Sequence, residues 1–184
     1  MKNTREEILK AASKVFVEKG YEGASISEIA KLKGLNQSLI YHYFRDKKEL
    51  WHRAKEYLLK EHIEASGSSI DMEADLPAFL MKFCKDGFEY LASHPEVVRI
   101  LTWQRLEDKK GKLVEFKLTG REMFEKAFSQ MQKKGKLRAD LDPHLATVLI
   151  RSFIRAPFFE DFSKINPTVY LNTIVDCIQR IVQP

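Results

Sequence analysis

The chain has 184 residues, 44% of them hydrophobic, and a net charge of +5, enough for one or two domains with a real core. No apolar run approaches the roughly 20 residues of a membrane helix, and the charged start MKNTREEILK lacks the apolar stretch of a secretory signal, so a cytoplasmic protein with no membrane partner is expected. The positive charge is unevenly placed: residues 1–60 hold 13 Lys and Arg against 8 Asp and Glu, while the remainder holds 18 of each. That asymmetry suits an N-terminal module meeting nucleic acid or another anionic surface, joined to a neutral remainder.

The predicted elements are helical almost throughout. From Thr4 to Lys19, the residues Ile8, Ala11, Ala12, Val15 and Phe16 follow the i, i+3, i+4, i+7 pattern of an amphipathic helix. Thr4 with Glu7 reads as a capping box at its start, and Gly20 as its left-handed stop. The box recurs as Ser25 with Glu28, and as Asp46 with Glu49. A short helix is predicted over 26–33, stopped by Gly34, and a second over 37–43, capped by Asn36. Ala30, four residues before Gly34, keeps a small side chain where the two helices approach. Ile29, Leu35, Ile40 and Phe44 supply the apolar contacts between them, and the spacing is that of a helix-turn-helix.

The next helix runs from Lys47 to about Ile63 and is followed by the loop ASGSSID. Asp75 and Pro77 open a helix reaching about Ser93, and Pro95 with Glu96 starts one that runs to EDKKGK. A long helix ends at Gly135; Asp142 and Pro143 begin another through about Phe159; Asn166 and Pro167 open the last, to about Val182. The fold class is therefore all-α, about nine helices in total. A helix-turn-helix domain is expected over 1–46, followed by a helical bundle domain over 47–184.

Catalytic and metal chemistry finds no support. The two cysteines, Cys84 and Cys177, are far apart amid apolar neighbours and are expected to be buried, reduced thiols rather than a disulfide or a metal pair. The five histidines are scattered, and there is no His-Glu-x-x-His and no glycine-rich phosphate loop. No enzyme activity, cofactor or metal is expected.

The run GASISEIAKLKGLNQSLIYHYFRDKKEL, preceded by a capped helix ending in Lys-Gly-Tyr, resembles the DNA-binding module of TetR-like transcriptional regulators. The remainder resembles that family in helix number, helix length and the GKLRADLDP junction. The aromatic run 41–44 then divides: Ile40 and Phe44, four apart, face the small core, while Tyr41 and Tyr43 fall on other faces where their hydroxyls reach phosphate oxygens. Lys47, in the first turn of the next helix, and Ser25 join them as phosphate-contacting candidates. The N-terminal part of the second helix would enter the major groove, with Gln37, Ser38, Leu39 and Lys33 as base-contacting candidates. Leu39 stands where the family most often has threonine.

The resemblance further implies double-stranded DNA as partner and a homodimer formed by the last two helices. Leu149, Phe153, Ile174 and Ile178 are interface candidates on their apolar stripes. It also implies a small, apolar or aromatic effector among the central helices, for which Phe83, Trp103, Phe116 and Phe124 are pocket candidates. The function expected is that of a ligand-responsive repressor on a near-palindromic operator; the alternative is a regulator controlled by its concentration or by a protein partner.

Overall fold

The chain is described from a computed structural model that covers residues 2–68, 74–108, 119–160 and 162–183, with side chains over 4–60, 74–108, 124–160 and 162–183. Among the described residues there are nine α-helices and no strand: α1 Lys2–Gly23, α2 Ile26–Leu32, α3 Gln37–Tyr43, α4 Lys47–Ser68, α5 Leu76–Ser93, α6 Pro95–Glu107, α7 Thr119–Lys133, α8 Pro143–Arg155 and α9 Pro167–Val182. They fall into two compact units, Met1–Glu61 with Pro95–Phe116, and His62–His94 with Lys117–Pro184.

In the first unit the apolar face of α1 (Ile8, Ala12, Phe16) is closed by Ile29 and Ala30 of α2, Ile40 of α3, Leu50, Trp51 and Ala54 of α4, and Ile100 of α6. Trp51 is wholly buried and meets Phe16 edge to face at 5.0 Å. Burying side chains of this size contributes about 1.5–3 kcal/mol each. Gly20 interrupts α1 with φ 74°, as its place after the last apolar turn predicts. A Cβ there would come within 2.9 Å of the Trp103 ring, so the stop also admits α6. Three polar contacts fasten α6 along that edge. The Trp103 indole N–H donates to the Val17 carbonyl at 3.2 Å, and Glu107 accepts from the backbone N–H groups of Tyr21 at 2.6 Å and Glu22 at 3.3 Å.

The second unit buries Leu76, Phe79, Leu80, Cys84 and Leu91 of α5, with Ile150 and Ile154 of α8 and Leu171, Ile174, Val175 and Ile178 of α9. Gly87 lets α5 and α8 approach closely, since a Cβ there would stand 3.2 Å from Ile154. Phe124, Phe128 and Met131 of α7 are buried, with Phe124 and Phe128 set against Phe79. Gly135, at φ 71°, ends α7 in a Schellman turn: its N–H donates to the Gln132 carbonyl and the Lys136 N–H to that of Met131.

Several expectations need correction. Helix α1 begins at Lys2, so Thr4 lies inside it instead of capping it. Helix α4 continues five residues beyond Ile63. Helix α8 stops at Arg155 and tightens into a 3-10 turn, Ala156–Phe158, because Pro157 has no N–H to continue the α-helical ladder. Of the two free cysteines Cys84 is buried, but Cys177 is exposed on the outer side of α9.

Candidate nucleic-acid interface

The geometry around α3 is set by two local devices. At the end of α2 the Leu35 N–H donates to the Ala30 carbonyl at 2.9 Å and the Gly34 N–H to that of Lys31 at 3.2 Å, with Gly34 at φ 64°. This Schellman turn needs a left-handed residue, which costs glycine nothing. A Cβ at Gly34 would meet no atom within 4 Å, so the requirement is one of backbone alone. Two residues later Asn36 Oδ1 accepts from the Ser38 N–H at 3.1 Å and starts α3. Ser25 caps α2 in the same way, accepting from the Glu28 N–H.

The seven-residue α3 buries one side chain, Ile40; Phe44, just past its end, is buried with it. Gln37 and Ser38 are exposed at its N-terminal end, Leu39 is half-buried, and Tyr41 is 52% exposed. Tyr43 is half-buried, packed against the core and edge to face with His42 at 5.2 Å. Phe44 inside and Tyr41 outside follow the spacing, whereas Tyr43, expected on an outer face, packs partly against the core.

Positive groups border this face. Lys33 is exposed at the end of α2, and the Arg45 side chain is 83% exposed while its Nε meets Asp46 at 3.2 Å. Lys47 Nζ donates to the Glu22 carbonyl at 3.3 Å and lies 4.7 Å above the Tyr21 ring; an ammonium has three donors, so this contact leaves capacity for a phosphate oxygen. Asp46 caps α4, accepting from the Glu49 N–H at 2.7 Å. That bond, with the Arg45 side chain, holds its carboxyl below the ordinary range. Phosphate-type chemistry at this edge would therefore meet exposed cations, the Tyr41 hydroxyl and the beginning of α4.

The other predicted residues are distributed differently. Phe124 is buried, its ring centroid 3.6 Å from that of the half-buried Phe83, within an aromatic cluster that includes Phe79 and Phe128. Trp103 lies in the first unit and its indole is bonded to α1, while Phe116 lies outside the described residues. Ile174 and Ile178, expected at a dimer surface, are buried in their own unit at 4% and 2% exposure; their stripe is consumed by α5 and the local core. The apolar side chains left outward on the same helices are Leu145, Val148 and Leu149 on α8 and Val169 and Ile181 on α9. Phe153 is half-buried.

One polar group escaped the reading of the sequence. Lys55 is buried at 2% exposure, its ammonium donating to Gln104 Oε1 and lying 5.4 Å from the Trp51 ring. Burial pushes its pKa down to about 8, opposed by the nearby Asp108 and Glu56 carboxylates. The signal was present: Lys55 is four residues after Trp51 and next to Ala54, inside the apolar stripe of α4.

Comparison with known proteins places these observations among regulators. Residues 8–54 match the family model described as bacterial regulatory proteins, tetR family, and residues 75–162 match a tetracyclin repressor-like C-terminal domain. Over 104 residues the chain is 35% identical to the HTH-type transcriptional repressor NicS of Pseudomonas putida, covering 56% of this chain and 49% of that protein. Over 105 residues it is 32% identical to the repressor SCO4008 of Streptomyces coelicolor, covering 56% of this chain and 50% of that one. The matched segment spans about half the length of these relatives. Among solved structures, the transcriptional regulator FadR of Bacillus subtilis, in complex with stearoyl-CoA, superposes with a TM-score of 0.73 at 23% identity, over 94% of this chain and 96% of its own. The fatty acid degradation regulator FadR of Bacillus halodurans gives 0.66 at 22% identity, over 96% and 93%.

Proposed function

This chain belongs to the tetR family of bacterial regulatory proteins, and on that premise we propose that it is a dimeric, ligand-responsive repressor that reads double-stranded DNA through α3. The observation that carries the reading is the open outer face of α3: one side chain is buried, while Gln37, Ser38 and Tyr41 stand exposed beside Lys33 and Arg45. A helix presented this way fits the major groove of B-DNA, about 12 Å wide, with its N-terminal residues on base edges. Gln37 suits the N6 and N7 of adenine, Ser38 either kind of base, and Leu39 a thymine methyl. Tyr41, Tyr43, Lys47 and Ser25 would hold the phosphates and so fix register.

A single seven-residue helix reads few base pairs, so specificity calls for a two-fold dimer on half-sites about 34–36 Å apart. The outward Leu145, Val148, Leu149 and Ile181 supply the apolar surface for it, joined by Phe153. The named relatives are repressors, which favours repression as the outcome. The Bacillus subtilis regulator that shares this chain's fold holds stearoyl-CoA, which supports an apolar effector in the second unit, with Phe83 and Phe124 as lining candidates. Helix α4 has residues in both units, so an effector that shifts it would change the spacing of the two reading helices. A coupling of about 1–3 kcal/mol would alter operator affinity roughly 5–150-fold.

Selection of bound DNA from a random pool tests this directly. The expected product is a near-palindrome whose half-sites are one helical turn apart; recovery of no common motif contradicts the reading.

A further inference from the structure

Outside the sites already described, the second unit contains a cavity of about 360 Å³ where the segment after α8 returns toward the start of α9. Phe88 comes from α5, Phe158 from the 3-10 turn, Phe162 from the connecting loop and Tyr170 from α9, and all four rings line it. Their neighbouring centroids are 5.1–6.4 Å apart and their planes are inclined by 44–78°. Rings inclined this way wrap a space instead of stacking flat on one another. Local bonds hold them in place: the Tyr170 hydroxyl donates to the Phe153 carbonyl, and the Ile165 N–H donates to that of Phe162 at 3.0 Å.

Among the described residues that line this cavity, the one that carries a charge is acidic, Glu160. The Tyr170 phenol, whose pKa burial raises further above neutrality, adds no anion there. The electron-rich faces of aromatic rings attract cations, and quaternary ammonium groups are recognised by cages of such rings. The volume falls within the range of small-molecule sites.

We propose that this cage, Phe88, Phe158, Phe162 and Tyr170 with Glu160, is a binding site for a small organic cation, an ammonium head carried on an aromatic or short alkyl body. A purely apolar ligand would use the rings but not the carboxylate, and an anion would be repelled by it. The claim concerns binding to the free protein and does not depend on the regulator reading.

Calorimetric titration of the full-length chain with (4-hydroxyphenyl)trimethylammonium and with 4-tert-butylphenol tests it, because the two probes share a shape and differ in charge. The cation is expected to bind about tenfold more tightly than its neutral counterpart. Glu160→Gln, a change at an exposed position, should reduce that preference about threefold, and Phe162→Leu, which keeps the site apolar but removes a ring, about tenfold. Equal affinity for the two probes, or saturation by neither at millimolar concentration, overturns the proposal. Repeating the titration with operator DNA present asks a separate question: a cation that binds without changing DNA affinity leaves the cage standing and removes it as the effector site.

Discussion

Helices α3 and α9 begin alike and end up with opposite tasks. Asn36 and Asn166 each cap their helix by accepting from a backbone N–H two residues on, at 3.1 and 2.9 Å. After that shared start, α3 buries only Ile40, while α9 buries Leu171, Ile174, Val175, Ile178 and Val182 and still carries Val169 and Ile181 outward. Capping decides where a helix starts; the residues left outside decide what it can meet. On α3 these are polar and hydroxyl-bearing groups suited to the edges of bases. On α8 and α9 they are apolar groups, the surface proposed for a second copy of the chain.

The largest effect should separate the inner from the outer apolar residues of this second surface. Ile178→Ala empties a fully packed site and should lower stability by about 2–5 kcal/mol in urea unfolding. Leu149→Asp, at a position 37% exposed, should leave monomer stability within roughly 1 kcal/mol yet convert the proposed dimer to monomer in sedimentation at micromolar concentration. A Leu149→Asp variant that stays dimeric would place the interface elsewhere.

A smaller effect belongs to the first unit and depends on pH. Because the folded pKa of Lys55 is about 8, below its ordinary 10.5, the unfolded chain binds more protons between those values. Stability from this residue therefore rises as pH increases through that window, and the cost of the buried charge is fully present below pH 8. Relative to Lys55→Met, the wild type should gain roughly 2–3 kcal/mol between pH 7.5 and 10.5, measured by denaturant unfolding at each pH. A pH-independent difference would show that the ammonium is not desolvated. The smallest effect is at the phosphate edge: Lys47→Ala should weaken specific and random DNA alike and reduce the salt slope by about one.

Local signals made much of the fold legible before any coordinates. Asn36, Asp75, Asp142 and Asn166 all cap the helices that their positions indicate, and Gly20, Gly34 and Gly135 all adopt positive φ. Each such signal acts over about five residues or fewer, within reach of sequence spacing. The placement of Gln37, Ser38 and Tyr41 on the open side of α3 was legible for the same reason, since Ile40 and Phe44 fix the inner face. What could not be read depends on which neighbour a side chain finds. A wide apolar stripe on α9 does not say that Ile174 and Ile178 belong inside or that Cys177 faces out. Lys55 is a different case, for its place in the apolar stripe was legible, but its charge reads as surface while its aliphatic stem buries like a hydrophobe. The cage around Phe162 and Tyr170 is assembled from α5, a 3-10 turn, a loop and α9, which no local pattern connects.

The central claim is that the exposed N-terminal end of α3 reads bases, and the most direct measurement compares Gln37→Ala with wild type on selected operator and on random DNA at one salt concentration. The account predicts a loss of about 1–3 kcal/mol on the operator alone, with random DNA bound as before. Equal loss on both would contradict it.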